Sequence, residues 1–589
     1  MTPAILLAAA LAATTADYHI NLTRYFASPS AELAERAMLE RRIGAFAARP
    51  ARSLSSPHAL HAWPAEDDAL LRAIARHETY AYLRAEIDRD DRDAAAADEA
   101  MDTLTHTLDA AVQRALVAVG QQRVERTIAQ DAALKPYRYL IQTVYARSRV
   151  DTGADKAARL LADPALASLS TAYQALRRQA LSTRAPSPAD ASAQQKYVAK
   201  FQPYLDNETA FAALLIPTIT LRDGAARLQS FASRPDQAYF DNRLTRQEVD
   251  TTLAALQGAD AYQRYQDTLA AVAAKRLHIG IDAAKPWDEG TADTYHPASV
   301  AFEDAIPQIL AAEQAMGRDY AGHFESLFAP QNQRVEWCRS AQCDDAGFSV
   351  GSAGLDSGLF YGAYTGTTDN MRTTAHEAAH AVHRQFMSEN QPIAAYNEGP
   401  HFVFESIAIF NELLFLDHLY RTAPTREGQA YFLHQFVADA VDRTFGSAKS
   451  TDLEQSIYDG VRKGSVRTAA DLDALSLQVF ARYMPAAAMT PERKVTWAMS
   501  RLYYTDPMYS VNYLFAGLLA LNYLQQFEQD PQGFSQRYVA MLKQGFPDVP
   551  QVLLRQQLGI DVDDAAGLVQ RANVVINQRT DLLAKCYTD

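Results

Sequence analysis

Cysteine is nearly absent: three in 589 residues, at Cys338, Cys343 and Cys586. That excludes a scaffold built on disulfides, and neither the number nor the spacing makes a cysteine zinc site. Glycine and proline are also scarce, 25 of each, which excludes collagen-like and long disordered chains and favours helix. Beyond the N-terminus no unbroken apolar stretch reaches the roughly 20 residues of a membrane span, so no stable membrane insertion is expected. Positive charge is in deficit, with 56 Lys and Arg against 70 Asp and Glu, a formal charge of −14. A general nucleic-acid binder is excluded on that balance. What is present is a 48% hydrophobic, alanine-rich chain, longer than a single core usually grows. The expectation from length and composition is a mostly α protein of two or more packed lobes.

Residues 1–16 carry a short apolar run, Ala4 to Ala13, ending in small residues. It has the form of a secretory signal, although no Lys or Arg precedes the run. Export to the periplasm or medium is the expectation, with a cytoplasmic protein the alternative if the run is no signal. In an exported chain Cys338 and Cys343 can bridge; otherwise all three thiols stay reduced. Residues 17–190 read as successive amphipathic helices, including Ala31–Arg49 and Asp91–Val119, and Ser182–Asp190 reads as a connection. Residues 191–294 read as a further helical region, with helix over Ala199–Ala274. The region 295–589 follows, beginning with a helix over about Ser299–Leu327. Short, glycine-punctuated β segments lie between Val335 and Tyr364, a small sheet just ahead of a distinctive motif.

That motif is His376-Glu377-Ala378-Ala379-His380. On a helix, positions i and i+4 share a face, so both imidazoles can reach one tetrahedral zinc, with Glu377 beside a metal-bound water. Asp369 or Asn370 can cap this helix. A second helix, starting near Pro400, reads HFVFESIAIFNELLFLDHLY and is apolar on nearly every side, so it should be buried. It nevertheless carries Glu405 and Glu412. An unpaired buried carboxylate costs several kcal/mol, so each needs a cation or strong donors. Glu405, 29 residues after His376, is the better candidate of the two for a third zinc ligand, and Glu412 then fits behind a histidine, orienting it through its free N–H. One zinc per chain with a fourth position open to water is a catalytic arrangement. The longer motif with a third histidine ligand places a glycine and then that histidine in the two turns after His380. The chain has His383 and Phe386 at those places, which excludes that class and leaves His383 a supporting role at most.

These residues resemble the zinc oligopeptidases of the thimet oligopeptidase and oligoendopeptidase F type. The likeness runs from Tyr364-Thr365-Gly366-Thr367 through the motif to His383, then Glu405-Ser406-Ile407-Ala408 with Asn411-Glu412, Pro507–Tyr513, and Tyr538–Leu542 with Gly559-Ile560-Asp561. It covers about residues 295–575. The resemblance implies two helical lobes around a deep channel and cleavage of internal bonds in short peptides. It also implies that the strand before the motif, here Leu359–Tyr364, pairs with the substrate backbone, naming Phe360, Tyr361, Gly362, Ala363 and Tyr364. An exposed strand edge suits that use.

The family glycine inside the motif is Ala379 here, a histidine four residues before Pro507 is Tyr503, and a middle tyrosine is Val511. A tyrosine O–H can still donate to a developing oxyanion, so Tyr513, with Tyr509 or Tyr503, is assigned there beside the general base Glu377. Two other readings stand: a peptidyl-dipeptidase resembling angiotensin-converting enzyme, which needs a cation for the substrate carboxylate, and an inactive zinc-bearing peptide-binding protein.

Overall fold

The computed structural model describes residues 18–151, 154–161, 164–182, 191–291, 295–340, 342–485 and 490–588. The leader, residues 1–16, and residues 183–190 of the connection lie outside them. Helices form where local capping and periodicity agree. Ser28 accepts a hydrogen bond from the Ala31 N–H at 3.2 Å and opens the helix Pro29–Ala47. Asp91 caps Arg92–Val119 through the Ala94 N–H at 3.0 Å, and that helix stops at Gly120, whose φ of 88° suits glycine. The longer expected runs are broken. Ala199–Ala274 is covered by five helices between Ala193 and Leu277, and Ser299–Leu327 divides into Phe302–Glu313 and Arg318–Phe328 at Gly317, φ 91°.

Apolar residues between Leu39 and Tyr145, among them Ile43, Trp63, Met101 and Leu108, form one core. A much larger core runs from Tyr173 to Leu583 and includes Tyr18. Between the two, a groove of about 570 Å³ separates Arg72, Glu78 and Tyr82 of the helix Pro57–Ile87 from Ser349–Ala353 and Arg384.

The sheet has three strands among the described residues: β1 (Val335–Trp337), β2 (Gly347–Val350) and β3 (Gly358–Tyr361). Their order is β1-β3-β2, with β1 parallel and β2 antiparallel to β3, and Phe360 lies opposite both Glu336 and Phe348. This corrects one expectation. The strand before the motif is the central strand, fully buried, and both of its hydrogen-bonding edges are taken over Gly358–Tyr361. The reason is legible in hindsight: Leu359-Phe360-Tyr361 is a continuous apolar run, whereas a strand with one wet face alternates. Phe360 stacks on Phe348 at 4.7 Å and packs on the bonded pair Cys338–Cys343, whose Cα atoms are 6.3 Å apart. The outer edge of β1 is met by the N-terminal segment, through Trp337 N–H to Tyr18 and Asn21 N–H to Gln333. The outer edge of β2 borders the groove.

Beyond β3 the chain must pass Asp344 at close range. A Cβ at Gly362 would lie 1.9 Å from the Asp344 carbonyl oxygen, so only glycine fits. Gly362→Ala should therefore lower unfolding free energy by about 1–3 kcal/mol, the usual cost of overpacking. Urea melts check this, and a variant with wild-type stability would show that the passage is loose.

Candidate metal centre

The helix Thr368–Asn390 presents the motif, and its start is fixed by Thr367 rather than by Asp369 or Asn370. Thr367 accepts from the Asn370 N–H at 3.2 Å while Asn370 Oδ1 accepts from the Thr365 and Thr367 N–H groups. Asn370 also donates to the Tyr361 hydroxyl at 3.1 Å, which ties β3 to the first turn. Ala375, Ala378 and Ala379 are buried; their small side chains let this helix lie against His401–Thr422, the helix of the two glutamates, which is buried from Phe402 to Leu416.

Packing those two helices brings His376, His380 and Glu405 together, with one donor atom from each lying within 4.8 Å of the others. His376 Nε2 is 3.4 Å and His380 Nε2 is 4.0 Å from Glu405 Oε2. Ligands about 2.1 Å from a tetrahedral zinc stand about 3.4 Å apart, so the spacing fits such an ion after small adjustments. The oxygens of Glu405 strengthen the fit. Oε1 accepts the Tyr509 hydroxyl at 2.8 Å, whereas Oε2, aimed at both imidazoles, is buried with no hydrogen-bond donor. An orphaned carboxylate oxygen between two imidazole nitrogens is a donor set for a cation.

Behind His376 lies a buried ionic network. His376 Nδ1 is 2.6 Å from Glu412 Oε1, which leaves Nε2 for the metal side. Glu412 also meets Arg443 at 3.2 Å and Arg372 at 3.3 Å. Both arginines reach Asp439, and Arg372 extends to Asp369 at 2.6 Å. Burial alone would push both glutamates up. The nearby imidazole of His376 draws Glu405 down, and the charges of Arg443 and His376 draw Glu412 down, each to about 2. Glu377 goes the other way: burial outweighs the pull of His376 and raises it to about 7.

The tyrosines separate. Tyr509 and Tyr513 sit at the start of the helix Ser510–Gln529 with rings 5.2 Å apart, Tyr509 on Glu405 and Tyr513 under the Arg443 guanidinium at 5.1 Å. The Tyr513 hydroxyl is raised by burial and then by the charge of Glu405, against the opposing charge of Arg443. Tyr503 is not brought to the site. It is 1% exposed in the short helix Leu502–Thr505 and donates to the Ser450 carbonyl at 2.8 Å. His383 also points elsewhere, into an apolar nest with Phe404 at 4.9 Å and Phe546 at 6.1 Å, where burial keeps it neutral. Of the expected substrate segment, Phe360 and Tyr361 are core, Gly362 is buried and Tyr364 packs edge-on against Phe302; Ala363 alone is exposed. Sequence reasoning missed Arg372, one turn before His376 on the motif helix, and the i,i+4 pair Asp439 and Arg443, which a separate stretch of chain brings to Glu412 only on packing.

Residues 361–572 match Peptidase family M3. An oligoendopeptidase F homolog of Lactococcus lactis is 22% identical over 391 residues, 66% of this chain and 63% of that protein. The oligopeptidase PepF of Bacillus subtilis is 20% identical over 525 residues, 84% of this chain and 76% of that protein. The crystal structure of oligoendopeptidase-F from Enterococcus faecium shares the fold with a TM-score of 0.62 at 16% identity, covering 94% of this chain and 98% of that one. The alignment with the Lactococcus relative thus spans somewhat less than two thirds of its length. The match to peptidase family M3 thus falls on residues 361–572, which hold the motif helix, both glutamates and the tyrosine pair, and the relatives named here are of the oligoendopeptidase F type.

Proposed function

We propose that this chain is a zinc-dependent oligoendopeptidase that hydrolyses internal bonds of short peptides. The observation that carries the reading is the convergence of His376, His380 and the undonated Glu405 Oε2 beside Glu377. Zinc bound there would supply Lewis acidity, polarising the scissile carbonyl and acidifying the attacking water. Glu377 accepts the proton of that water and delivers it to the leaving amine. Tyr513, with Tyr509 beside it, donates to the developing oxyanion.

The groove gives the substrate a place to lie. Gly347 packs near Thr373 and Gly351 near Arg384, so β2 runs alongside the motif helix at the level of His376 and His380. Gly362 N–H bonds to the Ala346 carbonyl, and by antiparallel alternation the backbone of Ser349 then faces away from β3, toward the groove. An extended peptide adding to β2 would therefore cross the metal site, the role first expected of the neighbouring strand. The cations of this groove favour cleavage of internal bonds. Arg72 is engaged by Asp68 at 2.8 Å and Arg384 by Glu398 at 3.1 Å, so neither stands ready to grip a free carboxylate as a dipeptide-releasing enzyme would require. Export is part of the proposal, and the Cys338–Cys343 bond suits an oxidising compartment.

Glu377→Gln should retain zinc and lose about 10²–10⁴-fold in kcat; turnover near wild type would remove Glu377 from the chemistry. A peptide blocked at both ends should be cut internally at a rate similar to its free form, whereas cleavage confined to free C-termini would favour the dipeptidase reading. Because the base must be unprotonated, kcat/KM should fall as pH drops through the Glu377 pKa. That value is about 7 without metal, and the zinc charge lowers it. A profile flat from pH 8 to pH 4 would contradict the assignment.

A further inference from the structure

The helix Arg426–Val441 does not pass directly into Ser447–Lys463. Asp442–Gly446 between them is a π-turn, a widened turn that inserts one residue and re-aims the side chains it carries. Arg443 rides on it. The turn is pressed against the helix Ser510–Gln529 at Gly517, where an added Cβ would lie 2.8 Å from both the Arg443 Cβ and its carbonyl oxygen. Tyr513 is one turn before Gly517 on the same face. Close approach at Gly517 and the widened turn together lay the guanidinium over the Tyr513 ring at 5.1 Å while its Nη2 reaches Glu412 Oε1 at 3.2 Å. That oxygen is the one facing His376 Nδ1 at 2.6 Å. Arg372 meets the other oxygen of Glu412 at 3.3 Å, which Arg443 also approaches at 3.5 Å, and Arg372 touches neither tyrosine ring among the described contacts.

We propose that Arg443 is a positioning residue with two attachments: it holds Glu412 against His376, and it fixes the Tyr513 ring, so that a single guanidinium links retention of the metal to placement of the oxyanion donor. The first attachment concerns zinc affinity, because a histidine whose far N–H is held by a carboxylate is oriented and more basic toward its metal. The second is a cation–π contact, which favours a flat guanidinium over an ammonium. The tyrosine half rests on the peptidase reading; the zinc half does not.

The test uses the full chain with Arg443→Met, Arg443→Lys, Tyr513→Phe and the Arg443→Met/Tyr513→Phe pair. Zinc affinity is read by competition with a chromogenic chelator, and kcat and KM at saturating zinc on a blocked peptide. Arg443→Met should weaken zinc about 10–100-fold and lower kcat more than KM. Arg443→Lys should hold zinc nearly as wild type, through its charge on Glu412, yet keep most of the kcat loss. Tyr513→Phe should cost less in the Arg443→Met background than alone. If Arg443→Met does not fold by circular dichroism, the Arg443→Lys split between zinc affinity and kcat decides alone. Wild-type zinc affinity in a folded Arg443→Met protein, or loss of affinity and kcat together in Arg443→Lys, would overturn the proposal. Should wild type cleave no peptide, the function is wrong while the zinc measurement still judges the link from Arg443 to His376.

Discussion

Two carboxylates on a buried apolar helix are the constraint around which this molecule is arranged. Glu405 and Glu412 lie seven residues apart on His401–Thr422, with exposures of only 8% and 2%. Uncompensated, each would cost several kcal/mol, a large fraction of a protein's net stability. The structure answers them differently. Glu412 is enclosed by Arg443, Arg372 and the His376 N–H, a protein-only solution. Glu405 receives a single hydroxyl, from Tyr509, and leaves its second oxygen facing two imidazoles. Protein groups alone satisfy Glu412, whereas Glu405 keeps one oxygen without a donor, which is what supports its proposed role as the ligand.

The surrounding architecture serves that difference. A helix cannot bring a histidine pair and a glutamate 29 residues away to one point without a close crossing, and the buried alanines of the motif helix allow it. The sheet then fixes the entry to that helix, through Tyr361 and the Asn370 cap. Size follows from access: the smaller N-terminal core sets the helix Pro57–Ile87 across a groove from β2 and the motif helix.

Local spacing made much of the site legible. His376 and His380 declare themselves at i and i+4, and Glu405 and Glu412 stand out because charge is anomalous in so apolar a helix. Tyr509 and Tyr513 share a face for the same reason, whereas Tyr503 precedes the start of that helix at Ser510 and turns into the core. Arg443 and Asp439 were invisible because their partners depend on how separate helices pack, and in Arg443 on a π-turn that no periodicity reveals. The edge of the sheet was misassigned because strand order is a tertiary fact: Leu359–Tyr361 marks a strand, but only pairing on both sides makes it central. In the helical regions, composition indicated helix correctly and the breaks at Gly120 and Gly317 depended on single residues.

The proposed reading makes Glu405 a metal ligand and Glu412 a support held by protein groups. Metal analysis of the purified wild type, Glu405→Gln and Glu412→Gln proteins after dialysis against nanomolar free zinc addresses this directly. One zinc per wild-type chain is predicted, with near-complete loss in Glu405→Gln and retained but weaker binding in Glu412→Gln. Full zinc occupancy in Glu405→Gln with loss in Glu412→Gln would reverse the roles of the two carboxylates and contradict the account.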